Sequence, residues 1–317
     1  MTTLKDESII TEKFDCFTVY SINNNYSFFH IEIEDTPIFY EKLFNYFFTE
    51  DKLIKYCEHM SNIKFSPSPR QFAILYKHLK TYIDDFNLSK ELYEIENMLF
   101  AILQDEEVLI NKEGKNLIRN DKIGKMGEYI FFCILSDYFH FDCIIPKVHL
   151  QTDYNMNIYG IDTLFYSERE NLLLFGESKL TKNIGNGINL IQKSLNEYEN
   201  QLSDEFELVL SNRLYKDKLY KFNDIYGDVA EISIDINQFI LNANIEKIGI
   251  PLFIAHGTET DIVNIMEKLE KINKPPFFNL DTKYYSISLP ILDKNKLVAT
   301  FTKMIKEKEE YYKNATY

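Results

Sequence analysis

The stretch Gly160-Ile-Asp-Thr-Leu-Phe-Tyr-Ser-Glu-Arg-Glu-Asn-Leu-Leu-Leu-Phe-Gly-Glu-Ser-Lys179 decides how this chain is read. Two apolar runs flank the polar segment Ser167 to Asn171, the pattern of two strands joined by a turn. A hairpin with Arg169 and Glu170 at its centre pairs residues whose numbers sum to 339. Asp162 then lies opposite Glu177, and Gly160 opposite Lys179, where the missing side chain leaves room for a ligand. Directly opposed side chains have Cβ atoms about 4.5 to 5.5 Å apart, a distance at which like charges destabilise unless something offsets them. A divalent cation would do so. Lys179 shares a face with Glu177, whereas Leu172, Leu174 and Leu180 alternate to the other. Hard carboxylate oxygens suit Mg²⁺ or Mn²⁺. A lysine beside them can orient or help deprotonate an attacking water and stabilise a phosphorane-like charge.

Working outward, the spacing of Ile123, Met126, Ile130, Phe131, Ile134 and Leu135 predicts a helix over about Arg119 to Phe139. On it Glu128 shares a face with Phe131, Phe132 and Leu135, which turns the carboxylate toward the core side, where it requires a partner. Strand-like runs follow at Asp142 to Gln151, Ile158 to Ser167 and Leu172 to Leu180, then a helix over Asn189 to Leu202, giving the order α-β-β-β-α. Further on, a strand at Lys247 to Ala255, a helix over Thr260 to Ile272, a strand at Tyr284 to Leu289 and a last helix capped by Asp293 either extend the sheet or pack beside it. Toward the N-terminus, Tyr26 to Glu34 reads as strand, followed by helices over Pro37 to His59, Pro69 to Asp84 and Ser89 to Leu103.

A Glu-x-Lys triplet by itself is most often a solvated surface; the order around it narrows the reading. A helical Glu, a strand Asp, then a strand Glu-x-Lys after a hairpin and a following helix resembles the PD-(D/E)xK nuclease superfamily. The fuller pattern Gly124-Lys-Met-Gly-Glu128, Gly160-Ile-Asp162 and Phe175-Gly-Glu-Ser-Lys179 resembles the HamA family, nuclease subunits of the Hachiman antiphage defence system, over roughly residues 115 to 255. That resemblance implies an α/β restriction-endonuclease-like core, a mixed central sheet flanked by helices. It also implies a metal-dependent DNA nuclease restrained by a superfamily 2 helicase subunit (HamB-like) until phage infection or abnormal DNA is sensed. Carried over by position, Asp162 and Glu177 would be ligands for Mg²⁺ or Mn²⁺, Lys179 the catalytic lysine, and Glu128 the supporting helical acid at the metal. One departure is the Gln-x-x-x-Tyr of RecB-like members, since Gln192 is followed four residues later by Asn196, with Tyr198 beyond. The expected organisation is an α-rich, partner-docking or regulatory region over residues 1–110 and a nuclease-like domain with a C-terminal α/β extension over 111–317. The alternative is a noncatalytic interaction subunit that keeps the fold and docks through an acidic surface.

Composition sets the bounds on these readings. The chain has 317 residues, 45% hydrophobic and 26% charged, which matches an ordinary globular protein. No apolar stretch approaches the roughly 18 to 20 residues that span a bilayer, and the opening MTTLKDESIITEK has no apolar signal region, so a cytoplasmic location is expected. Cys16, Cys57, Cys133 and Cys143 lack C-x-x-C spacing and the histidines lack paired spacing, which argues against disulfide staples and a zinc site. The net charge is -14, yet Lys112 to Lys193 holds ten Lys plus Arg and ten Asp plus Glu, so the acidity lies outside this segment. Seven of ten glycines fall between Gly114 and Gly187, where backbones must bend or approach closely. Lys112, Lys115, Arg119, Lys122 and Lys125 either meet a DNA backbone or solvate a helix. Gly185-Asn-Gly187 lacks the rest of a phosphate loop and reads as a loop before a helix, His149 and His256 as core histidines, and Asp153 has no assigned role.

Overall fold

The computed structural model describes residues 9–31, 33, 36–57, 68–83, 109–110, 116–118, 120–146, 163–211, 236–242, 245–257 and 259–315. The chain opens with a three-strand meander, β1 (Ile10–Phe14), β2 (Phe17–Ile22) and β3 (Asn25–His30). Two-residue turns join its strands. Asn23 and Asn24 both take positive φ, 49° and 63°, the backbone that a tight hairpin needs and that Asn tolerates.

Three helices follow, α1 (Pro37–Phe47), α2 (Glu50–Cys57) and α3 (Pro69–Ile83). The single helix expected from Pro37 onward is two. Thr49 breaks it: its hydroxyl accepts the Lys52 N–H at 3.4 Å, and Glu50 and Asp51 supply the acidic first turn that suits a new helix N-terminus. The helix expected over Ser89 to Leu103 lies outside the described residues. A two-strand ladder, β4 (Leu109–Ile110) with β5 (Asn116–Ile118), stands apart.

The helix predicted around Glu128 is α4 (Asn120–Asp137), followed by β6 (Asp142–Pro146), β7 (Thr163–Ser167) and β8 (Leu172–Thr181). α5 (Ile184–Ser211) is longer than its predicted span, and its buried stripe of Ile184, Ile191, Leu195, Tyr198 and Leu202 runs most of its length. Then come α6 (Ile236–Asn242), β9 (Lys247–Gly257), α7 (Ile262–Leu269), β10 (Asp281–Leu292) and α8 (Lys294–Asn314). Asp293 caps α8 as expected, its carboxylate accepting the Lys296 N–H at 3.2 Å.

Eight strands form one mixed sheet in the order β1-β2-β3-β10-β9-β8-β7-β6. The C-terminal strands therefore fill its middle, and the N-terminal meander joins it through β3, which runs parallel to β10. β8, β9 and β10 are mutually parallel neighbours, while β6, β7 and β8 are antiparallel. Helices cover both faces. On one, α1 to α4 and α8 pack over Phe165, Leu172, Leu174, Phe253 and Ile287; on the other, α5, α6 and α7 pack over Leu173, Phe175, Ile248, Leu252 and Ile254. This alternation along β8 and β9 fixes which way every later side chain on those strands points. Among the described residues no helix is long and apolar enough to cross a membrane.

Candidate metal and nuclease site

The hairpin arithmetic is met rung by rung. β7 and β8 pair Ser167 with Leu172, Phe165 with Leu174 and Thr163 with Gly176, each pair summing to 339. A 3-10 turn over Glu168–Glu170 and Asn171 at φ 47° make the connection. The sequence reading sets Asp162 against Glu177 in this same register. Asp162 and Gly160 lie outside the described residues, directly ahead of β7.

Glu177 sits in the middle of β8 with 3% of its surface exposed. It stands beside Leu252 of β9, and Lys179 beside Ile254, so both point to the α5 face, while Leu172, Leu174 and Leu180 belong to the opposite one. This is the segregation that the sequence pattern implied. The Lys179 ammonium donates to Glu177 Oε1. A carboxylate withdrawn from water in this way requires positive charge close by.

Glu128 is half-buried on α4. Its neighbour Gly127 lies over β8, where an added Cβ would stand 3.4 Å from Leu180 Cβ. α4 covers the face opposite to that of Glu177 and Lys179, so Glu128 is carried to the same stretch of β8 from the other side of the sheet. Lys112, Lys115, Arg119, His149 and Asp153 fall outside the described residues.

Among the described residues no three His, Cys, Asp or Glu side chains gather as a metal site. The donor chemistry nevertheless fits a hard cation. Glu177 offers carboxylate oxygens in a water-poor layer.

The remaining candidates find structural roles. Gln192 Oε1 accepts the Asn273 N–H at 2.8 Å, which ties α5 to the connection after α7. The Gly185-Asn-Gly187 segment is part of α5 and not a loop before it: Asn183 Oδ1 caps the Asn186 N–H at 2.9 Å. A Cβ at Gly187 would fall 2.4 Å from Ile254 Cγ2, so the glycine permits the helix to seat on the sheet. His256 is fully buried, with Nε2 2.8 Å from Ser288 Oγ and Nδ1 3.2 Å from the Gly257 carbonyl. Because the carbonyl can only accept, Nδ1 carries the proton and Nε2 accepts from the Ser288 hydroxyl. Burial pushes its pKa down to about 4.

Sequence reasoning missed how much polar surface lies on this face. Asn25 and Ser27 of β3 stand opposite Ser286 and Ser288 of β10, all buried. Only the long-range pairing of β3 with β10 brings them together, and no local pattern announces it.

With the fold and the hairpin in place, comparison with known proteins decides the affiliation. The HamA family model matches residues 7–305. The chain belongs to the HamA family. Its match spans the N-terminal meander, the Glu128 helix, the Glu177 strand and the closing α/β elements alike. Membership makes the protein a component of the Hachiman antiphage defence system. No curated protein matches it.

Proposed function

We propose that this HamA-family protein is a metal-dependent DNA nuclease, the effector of its defence system, restrained by a superfamily 2 helicase partner. The observation that carries the reading is the buried Glu177 carboxylate in contact with Lys179, on the second strand of the β7–β8 hairpin.

Asp162 and Glu177 would hold Mg²⁺ or Mn²⁺; Glu128, which α4 carries to β8 from the opposite face of the sheet, would act on the site only indirectly. The ion, when bound, supplies Lewis-acid activation of the phosphodiester and of a water. Lys179 orients the attacking water and stabilises the charge that grows on the phosphoryl oxygens. Its anchoring to Glu177 holds the ammonium in place before DNA arrives. Glu177, kept from bulk solvent by the α5 layer, gives the cation a site in which its charge is weakly screened.

The test is cleavage of plasmid DNA by the purified protein with Mg²⁺ or Mn²⁺, with and without its helicase partner. Asp162→Ala, Glu177→Ala and Lys179→Ala should each abolish cleavage. The two carboxylate variants should also lose Mn²⁺ affinity by titration calorimetry, while Lys179→Ala should still bind the ion. Full cleavage by Lys179→Ala would overturn this assignment. Undiminished phage protection by Glu177→Ala would instead make the protein a noncatalytic interaction subunit.

A further inference from the structure

Thr163 and Gly176 form the last described rung of the β7–β8 ladder, and Gly176 directly precedes Glu177 on β8. Onto this rung α4 presses Phe131. A Cβ at Gly176 would fall 2.6 Å from Phe131 Cε1 and 2.2 Å from Thr163 Oγ1, far inside contact distance. The ring cannot easily retreat: Phe131 is fully buried and stacked on Phe253 of β9, with centroids 5.3 Å apart and planes 3° from parallel. Thr163 Oγ1 is buried with no hydrogen-bond partner among the described residues. Three elements thus meet at the position of one missing side chain: α4 with Glu128, β7 behind Asp162, and β8 with Glu177 and Lys179.

We propose that Gly176 is a positioning residue that sets where β8 holds Glu177 and Lys179, and so the geometry in which the metal is held. The inference rests on the nuclease reading above. A methyl group at this position must push β8 away from Phe131 or spread β7 from β8, and the residue displaced first is Glu177, its neighbour on β8. Mg²⁺ demands near-ideal octahedral coordination. A Glu177 carboxylate shifted by a few tenths of an ångström therefore costs affinity before it costs the fold.

Gly176→Ala should lower Mn²⁺ affinity by about tenfold or more, the range seen when the support behind metal ligands is altered. The measurement is titration calorimetry on the full chain, at a temperature where circular dichroism shows it folded. Removing the obstruction should restore binding, so Gly176→Ala combined with Thr163→Ala and Phe131→Leu should return to within about threefold of the Thr163→Ala, Phe131→Leu background. Should Gly176→Ala alone fail to fold, Gly176→Ala with Thr163→Ala retains only the ring contact, and its affinity should lie below that of Thr163→Ala alone and below that of the relieved triple variant. Wild-type affinity in a folded Gly176→Ala protein, or no recovery in the relieved background, would overturn the proposal. Absence of Mn²⁺ binding by the wild type would instead overturn the nuclease reading on which it rests.

Discussion

Replacing Lys179 by Met tests whether Glu177 is held as a charged group waiting for a cation. The Glu177 side chain is 4% exposed and that of Lys179 26%, so the substitution strands the more deeply buried partner. Breaking a fully buried pair costs about 3 to 5 kcal/mol, chiefly through the abandoned charge. The partial exposure of Lys179 brings this to about 2 to 3 kcal/mol, because the ammonium is screened in part already. For a chain of this size that lowers the thermal midpoint by about 3 to 5 °C. Glu177→Gln leaves the ammonium, which can turn to water, and should cost about 1 kcal/mol or less. The assay is thermal unfolding of both variants in chelator and then in Mn²⁺. The cation should return most of the lost stability to Lys179→Met, since it substitutes for the missing charge, and a ligand at 100 times its Kd contributes about 2.7 kcal/mol. It should do little for Glu177→Gln. Equal Mn²⁺ stabilisation of the two variants, or a Lys179→Met protein as stable in chelator as the wild type, would refute the reasoning.

Glu128→Gln should reduce cleavage less than Glu177→Gln does, because α4 brings Glu128 to the opposite face of β8; plasmid nicking rates compare the two directly. His256 is neutral in the fold. Its pKa is depressed from 6.5 to about 4 by burial, so the stability it contributes is complete above pH 6.5 and is lost as pH falls toward 4. Urea unfolding at several pH values should show a loss of about 3 kcal/mol in that window, absent in His256→Gln. At the α2–α3–α8 junction Glu50 Oε1 accepts from Tyr76 and Tyr312 hydroxyls, both at 2.9 Å, and from Lys308 at 2.7 Å. Burial raises the Glu50 pKa, but these bonds outweigh it and hold the group below its ordinary 4.5. Stability from this cluster is therefore present above pH 4.5 and lost on further acidification, and Glu50→Gln should flatten that part of an acid-unfolding curve.

The hairpin was legible because its information is local. A polar segment between two apolar runs sets the centre, the centre sets the register, and a period of two sets the faces, so Glu177 with Lys179 on one side and Leu172 with Leu174 on the other followed from sequence alone. The Glu128 helix was legible for the same reason, through its 3.6-residue stripe. What the stripe could not tell is which face of the sheet the helix would cover, since either face accepts an apolar helix. The place of β9 and β10 was open for a related reason: their apolar runs suit any buried strand. Only the assembled sheet puts them at its centre, with Leu252 and Ile254 beside Glu177 and Lys179. The Thr49 break shows the converse, a local signal overlooked because the apolar pattern runs through it.

The long-range pairing has a consequence for how the N-terminal meander relates to the candidate site. Ser27 donates to Ser288 at 3.5 Å, Ser288 to His256 at 2.8 Å, and His256 through Nδ1 to the Gly257 carbonyl, so one chain of hydrogen bonds crosses from β3 through β10 to β9. Thr181 of β8 pairs with His256, two residues beyond Lys179 on the same face. Removing the meander would expose the parallel edge of β10 and leave Ser288 without its β3 partner, at the second strand over from Lys179. The residues that precede α1 thus complete the sheet on which Glu177 and Lys179 sit. The hydrogen-bonded path from β3 ends beside the candidate catalytic strand, and sequence distance of more than 250 residues between Ser27 and Ser288 is no measure of their separation in the fold.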